Sequence, residues 1–213
     1  MLIFKECKIE KLDKLFSLRP LPLKRMSILQ TWLNGQSEIS EQERNYLLIL
    51  QEYLEENVAN WNELELAMNF IGPMFALVQF GYERKFNLFA ERSLSGTVEG
   101  VELGGKPDGL IATGWREPEK PYFCFQEYKR DKDPDGDPQA QVLAAMLVAQ
   151  EINERQFPIY GCYVRGRHWY FMALQGKEYS TSVEYSAVKP EIFDILRILN
   201  VLKRMIIERV SNV

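Results

Sequence analysis

Lys106-Pro107-Asp108-Gly109-Leu110-Ile111-Ala112-Thr113 and, after a loop, Tyr122-Phe123-Cys124-Phe125-Gln126-Glu127-Tyr128-Lys129 are the stretches whose reading decides the fold. Both read as strands, and the connection from Thr113 to Pro121 carries two prolines, Pro118 and Pro121. Side chains alternate along a strand, so Phe123, Phe125, Glu127 and Lys129 share one face and Tyr122, Cys124, Gln126 and Tyr128 the other. Both faces are largely apolar, which marks a central strand. Glu127 and Lys129 therefore point together. If the first segment pairs with the second, Asp108 stands beside Glu127, and two carboxylates so placed can hold a hard divalent cation through oxygen ligands. An acid on one strand, then an acid and a lysine on one face of the next, is what a metal-dependent phosphodiesterase needs.

The neighbouring sequence extends this sheet. Phe86 to Ser93 and Thr97 to Leu103 read as strands, with Gly104-Gly105 as the turn into the Asp108 strand. Upstream, Asn60 to Pro73 reads as a helix capped by Asn60 or Asn62, with Glu63, Ala67 and Phe70 on one face. Downstream, Asp137-Pro138 opens a long helix, Gln139 to Asn153, whose alanines permit close packing on the sheet. A hairpin of Pro158 to Val164 and His168 to Leu174 follows, then a strand near Tyr179 to Tyr185 and a terminal helix from Pro190 with an apolar stripe. Three helices precede all of this: Ile9 to Leu18, Lys24 to Leu33, and one from a Ser40 to Glu43 capping box to about Asn57.

The chain has 213 residues, enough for one domain with a substantial core, and is 46% apolar. Residues 1–58 read as an N-terminal helical extension packed on a core of residues 59–213. No stretch is long and apolar enough to span a membrane, and Met1 to Glu6 meets a charge at once, so a cytoplasmic location is expected. Cys7, Cys124 and Cys162 are far apart and form no CxxC, which argues against disulfides and a thiolate zinc site. A net charge of −4 argues against a protein that simply coats DNA. The charge is uneven: residues 1–25 hold seven Lys and Arg against three acids, and residues 38–65 hold eight Glu and one Arg. Asp131 to Asp137 mimics a calcium loop but has Val142 where the bidentate Glu should be. The single histidine, His168, reads as hairpin packing rather than a general base.

Taken together, Pro107-Asp108, Glu127-Tyr128-Lys129 and the order of elements resemble the PD-(D/E)xK nuclease superfamily. Asn62-Glu63 with Phe70-Ile71-Gly72-Pro73 is similar to the first motif of its restriction-enzyme-like branch, and Gly166-Arg167-His168-Trp169 to that branch's hairpin turn. The resemblance covers about residues 60–175. It implies an α/β fold with a restriction-endonuclease-like core, a mixed central sheet flanked by helices in the order α-β-β-β-α-β, plus the N-terminal helical segment and a C-terminal helix. It implies a nuclease hydrolysing DNA, with RNA also open, in which Asp108 and Glu127 ligate Mg²⁺ or Mn²⁺ and Glu63 completes the metal shell. Lys129 would orient the attacking water, and Gln141, or alternatively Gln139, would help position the site. A homodimer is one way to cut both strands. The alternative is a catalytically inactive module of the same fold that binds nucleic acid or a protein partner.

Overall fold

A computed structural model of the chain describes residues 1–128 and 136–211, without the side chains of 126–128. The N-terminal part supplies β1 (Leu2–Ile3), α1 (Ile9–Phe16), β2 (Arg19–Pro20), α2 (Ser27–Asn34) and α3 (Glu41–Asn57). α3 starts where its capping box places it: Ser40 Oγ accepts the Glu43 N–H at 3.2 Å, and Glu43 Oε2 accepts the Ser40 N–H at 2.8 Å. α2 is shorter than the expected Lys24 to Leu33 helix. Leu23–Arg25 form a separate 3-10 turn, and Met26, at φ −105° and ψ 83°, breaks the helix between them.

The helix around Glu63 departs from expectation in a useful way. It runs as α4 (Glu63–Leu66), a π-turn (Ala67–Ile71) and α5 (Gly72–Val78), carrying on past Pro73. Proline has no N–H to donate and its ring crowds the carbonyl one turn back, and the wider π-turn before it absorbs both. The same turn changes which residues share a face. Glu63, Ala67 and Ile71 line one cavity, while Phe70 is buried in the core.

The remaining elements are β3 (Gly81–Tyr82), β4 (Phe86–Ala90), β5 (Leu94–Val98), β6 (Val101–Gly105), β7 (Gly109–Thr113), β8 (Pro121–Tyr128), α6 (Pro138–Ile152), β9 (Ile159–Arg165), β10 (His168–Gln175), β11 (Glu178–Thr181), β12 (Tyr185–Ser186) and α7 (Glu191–Ser211). Three expectations are corrected here. The strand from Phe86 ends at Ala90, not Ser93. The strand near Tyr179 to Tyr185 is two, β11 and β12, each pairing separately with β10. Gly104-Gly105 is not a turn but part of β6, paired with β5 on one side and in parallel with β1 on the other. Glycine is needed at 105 for close approach, since a Cβ there would lie 2.5 Å from the Phe4 ring. The turn is Glu99-Gly100, with φ of 48° and 84°.

The main sheet is mixed and, among the described residues, has nine strands along the order β2-β11-β10-β9-β8-β7-β4-β3, with β12 beside β10. β4, β7 and β8 form an antiparallel meander, α6 crosses over, and β9 returns parallel to β8. β8 is central, as its two apolar faces require. Its alternation sets the layers. Phe123 and Phe125 enter a core with α2, α3, α5 and α7, whereas Cys124 enters a second core with α1 and α6. α6 is buried along almost its whole length, and Gly161 of β9 admits it: a Cβ there would meet Met146 Sδ at 2.6 Å.

The N-terminal segment is built into these layers. Trp32 of α2 is fully buried, and its indole N–H donates to the Ile198 carbonyl of α7 at 2.8 Å. β2 adds in parallel to β11 at the sheet edge. Among the described residues, no helix is long and apolar enough to cross a membrane.

Candidate active site

Asn62 fixes the start of α4. Its Oδ1 accepts the Glu65 N–H at 3.0 Å, and Glu65 Oε2 accepts the Asn62 N–H at 2.7 Å, a capping box that commits the Glu65 carboxylate to the helix end. Glu63, the first residue of the helix, takes a different place. It lines a cavity of about 530 Å³ with Ala67, Ile71 and Phe75 on the helical side and Leu88, Glu91, Asp108 and Phe125 on the sheet side. This lies within the roughly 300–1,000 Å³ of ordinary ligand sites.

Asp108 stands one residue before β7 rather than within the expected strand. Gly109 pairs with Phe125, so the half-buried Asp108 sits where β8 runs on towards Glu127. Its carbonyl accepts the Glu91 N–H at 3.2 Å. β8 continues through Glu127, which pairs with Val164 of β9. The Glu127 side chain and Lys129 lie outside the described residues, as does most of the Asp131 to Asp137 loop. The structure thus brings Glu63 and Asp108 together and carries the backbone of Glu127 to the same end of the sheet.

Gln141 is not part of this lining. It lies in the first turn of α6, 3% exposed, among residues of the second core. The alternative, Gln139, donates from Nε2 to Thr181 Oγ1 at 2.9 Å, which ties α6 to β11. The acid that sequence reasoning missed is Glu91. It follows β4 in a left-handed conformation, φ 50°, which turns the chain out of the expected strand and into the cavity wall. No local pattern announces this, because a glutamate within a supposed strand carries no turn signal.

Glu63, Glu91 and Asp108 offer carboxylate oxygens, the ligand type of Mg²⁺ and Mn²⁺. No thiolate competes, since burial pushes the Cys7 thiol up to about 11 and raises Cys124 and Cys162 as well. Among the described residues, no three His, Cys, Asp or Glu side chains are gathered closely enough to enclose a metal by themselves. His168 is elsewhere, its Nδ1 2.8 Å from Glu184 Oε1 at the β10 hairpin.

No family model matches the chain, and no curated protein matches it at a significant level.

Proposed function

We propose that this chain is a cytoplasmic, divalent-metal-dependent nuclease of the PD-(D/E)xK type, hydrolysing phosphodiester bonds of DNA. The observation that carries this reading is the meeting of Glu63, from a helix start, and Asp108, from a strand start, in one cavity at the end of the strand that bears Glu127. The order of helix, antiparallel meander, crossover helix and parallel strand supports a restriction-endonuclease-like core.

In this reading Asp108 and Glu127 would hold Mg²⁺ or Mn²⁺, with Glu63 as a further carboxylate for the shell. When bound, the cation polarises the scissile phosphate and lowers the pKa of a water molecule. Lys129 would orient the attacking water and stabilise negative charge developing on the phosphate. Phe75, Phe125 and Ile71 keep the cavity wall apolar, which strengthens the electrostatic contacts made within it. Gln141 does not line the cavity, so any part it takes would be in positioning the site rather than in touching substrate.

The test is cleavage of circular, linear and single-stranded DNA, with RNA in parallel, in Mg²⁺, Mn²⁺ or EDTA. Cleavage should require the metal and fall by at least about 100-fold in Asp108→Ala, Glu127→Ala and Lys129→Ala. Equal rates in wild type and variants, or cleavage undiminished in EDTA, would sink the proposal.

A further inference from the structure

The carboxylate cavity continues into a second groove. A shallower trough of about 440 Å³ shares Gly72, Phe75 and Leu88 with it and passes Gln79 and Phe80 to reach Gly81. The two make one channel between α5 and the edge of the sheet. The channel follows β4, whose register runs from Phe86, opposite Thr113, to Ala90, opposite Gly109 beside Asp108. That is about 14 Å at the rise of an antiparallel strand.

Beyond Gly81, outside the lining of either cavity, the chain turns into a built platform. Gly81 opens β3, and the tight turn after it closes with the Lys85 N–H on the Tyr82 carbonyl at 2.7 Å. Its two central residues, Glu83 and Arg84, have φ of 46° and 58°, in the left-handed region where glycine or asparagine is usual. The turn carries the Arg84 guanidinium carbon 4.7 Å from the centroid of the Trp115 ring. The Trp115 loop is itself pinned, by Asn87 Nδ2 donating to the Gly114 carbonyl at 3.0 Å and by the Lys120 N–H donating to Thr113 Oγ1 at 3.0 Å. Trp115 is 58% exposed, whereas Trp32 and Trp169 are fully buried. Glu83 and Glu117 approach Lys85 and Arg92, while Arg84, Arg116 and Lys120 make no ion pair among the described residues.

We infer that this channel holds an unpaired strand of the nucleic-acid substrate, with one base stacked on Trp115 beside Arg84 and the strand leading along β4 to the carboxylate end. The inference rests on the nuclease reading for the place of the scissile bond, and on the channel alone for binding. An indole with a guanidinium at its ring suits an unstacked base, since every base has a π-face and its phosphate seeks the cation. A duplex keeps its base faces stacked inside and offers Trp115 nothing to stack on. The apolar floor of Phe75, Phe80 and Leu88 likewise suits bases rather than phosphates.

The experiment titrates labelled oligothymidylate and a blunt duplex of equal length against the full chain in EDTA, comparing wild type, Trp115→Ala, Trp115→Phe and Arg84→Gly. Arg84→Gly removes the guanidinium while relieving the left-handed backbone, so it tests the platform without endangering the turn. Trp115→Ala should weaken oligothymidylate binding by roughly 5- to 100-fold, the effect of losing one base–aromatic stack. Trp115→Phe should restore most of it, Arg84→Gly should lower the salt dependence by about one phosphate contact, and the duplex should be insensitive to Trp115. Wild-type affinity in Trp115→Ala, or equal losses for duplex and single strand, overturns the inference. Binding that depends on Trp115 in a protein that cuts nothing refutes the nuclease reading alone. Metal-dependent cleavage with unchanged binding in Trp115→Ala refutes the channel alone.

Discussion

Asp137 is a single carboxylate that begins two helices, and its removal should be felt in both. Oδ1 accepts the Ala140 N–H at 2.9 Å and so caps α6, while Oδ2 accepts the Ile9 N–H at 2.9 Å and serves the start of α1. α1 has no cap of its own, because its N-cap residue is Lys8, which makes no side-chain cap bond. Losing an N-cap costs about 1 kcal/mol, and a partly buried N–H left without its charged acceptor costs a further 1–3 kcal/mol or so. Asp137→Ala should therefore destabilise the chain by about 2–4 kcal/mol, and Asp137→Asn, which keeps one acceptor oxygen, by roughly half as much. Urea unfolding followed through the buried Trp32 and Trp169 measures both. A double-mutant cycle isolates the second bond. Ile9 is the first residue of α1, where proline is tolerated and brings no N–H, so in an Ile9→Pro background Asp137→Ala should cost only the α6 cap, about 1 kcal/mol. A cost for Asp137→Ala within about 0.5 kcal/mol of zero, or one that does not shrink in the Ile9→Pro background, refutes the shared-cap reasoning.

Trp32 contacts Tyr160 and Phe171 edge-on at 5.0 and 5.3 Å and donates to the Ile198 carbonyl. Trp32→Ala should cost about 3–5 kcal/mol, and Trp32→Phe, which keeps most of the packing and loses only the indole hydrogen bond, distinctly less; equal losses in urea titrations would contradict this. The thiols make the protein alkali-sensitive. An unfolded thiol ionises near pH 9.0, but burial delays Cys7 to about 11 and Cys124 further, so above pH 9 the unfolded state holds fewer protons and stability falls. Each thiol should contribute a slope of about −1.4 kcal/mol per pH unit inside its window and nothing below it. Denaturation curves at pH 8, 9, 10 and 11 check this, and a flat or rising stability from 9 to 11 would count against it. In native protein at pH 8, none of the three buried cysteines should react with a thiol reagent until urea is added.

What the sequence makes legible is what local chemistry decides. The Ser40 to Glu43 box needs only a hydroxyl and a carboxylate three residues apart, and it forms as written. The alternation along 121–128 needs only the strand period, and the two cores divide along it. Where a distant partner decides, local reading fails. Gly104-Gly105 resembles a turn until Phe4, a hundred residues earlier in the chain, comes to lie against it. Gly72-Pro73 resembles a helix stop until the π-turn before it absorbs the missing bond. β1 and β2 are each two residues long and have no period to read, and they exist because β6 and β11 offer edges.

The candidate site divides along the same line. Glu63 and Asp108 are legible because each sits at the start of an element marked by its own signals, Asn62 for the helix and Pro107 for the strand. That both face one cavity follows from the antiparallel register of β7 with β8 and from the π-turn that swings Ile71, rather than Phe70, onto the face of Glu63. Glu91 is illegible for the converse reason. Its role depends on a left-handed φ stabilised by a hydrogen bond to the Asp108 carbonyl, a contact that exists only after β4 and β7 have paired. Acids that are fixed by register rather than by motif are therefore the ones a pattern search omits. In this chain the omitted acid is tethered through its own backbone to the one that the pattern found.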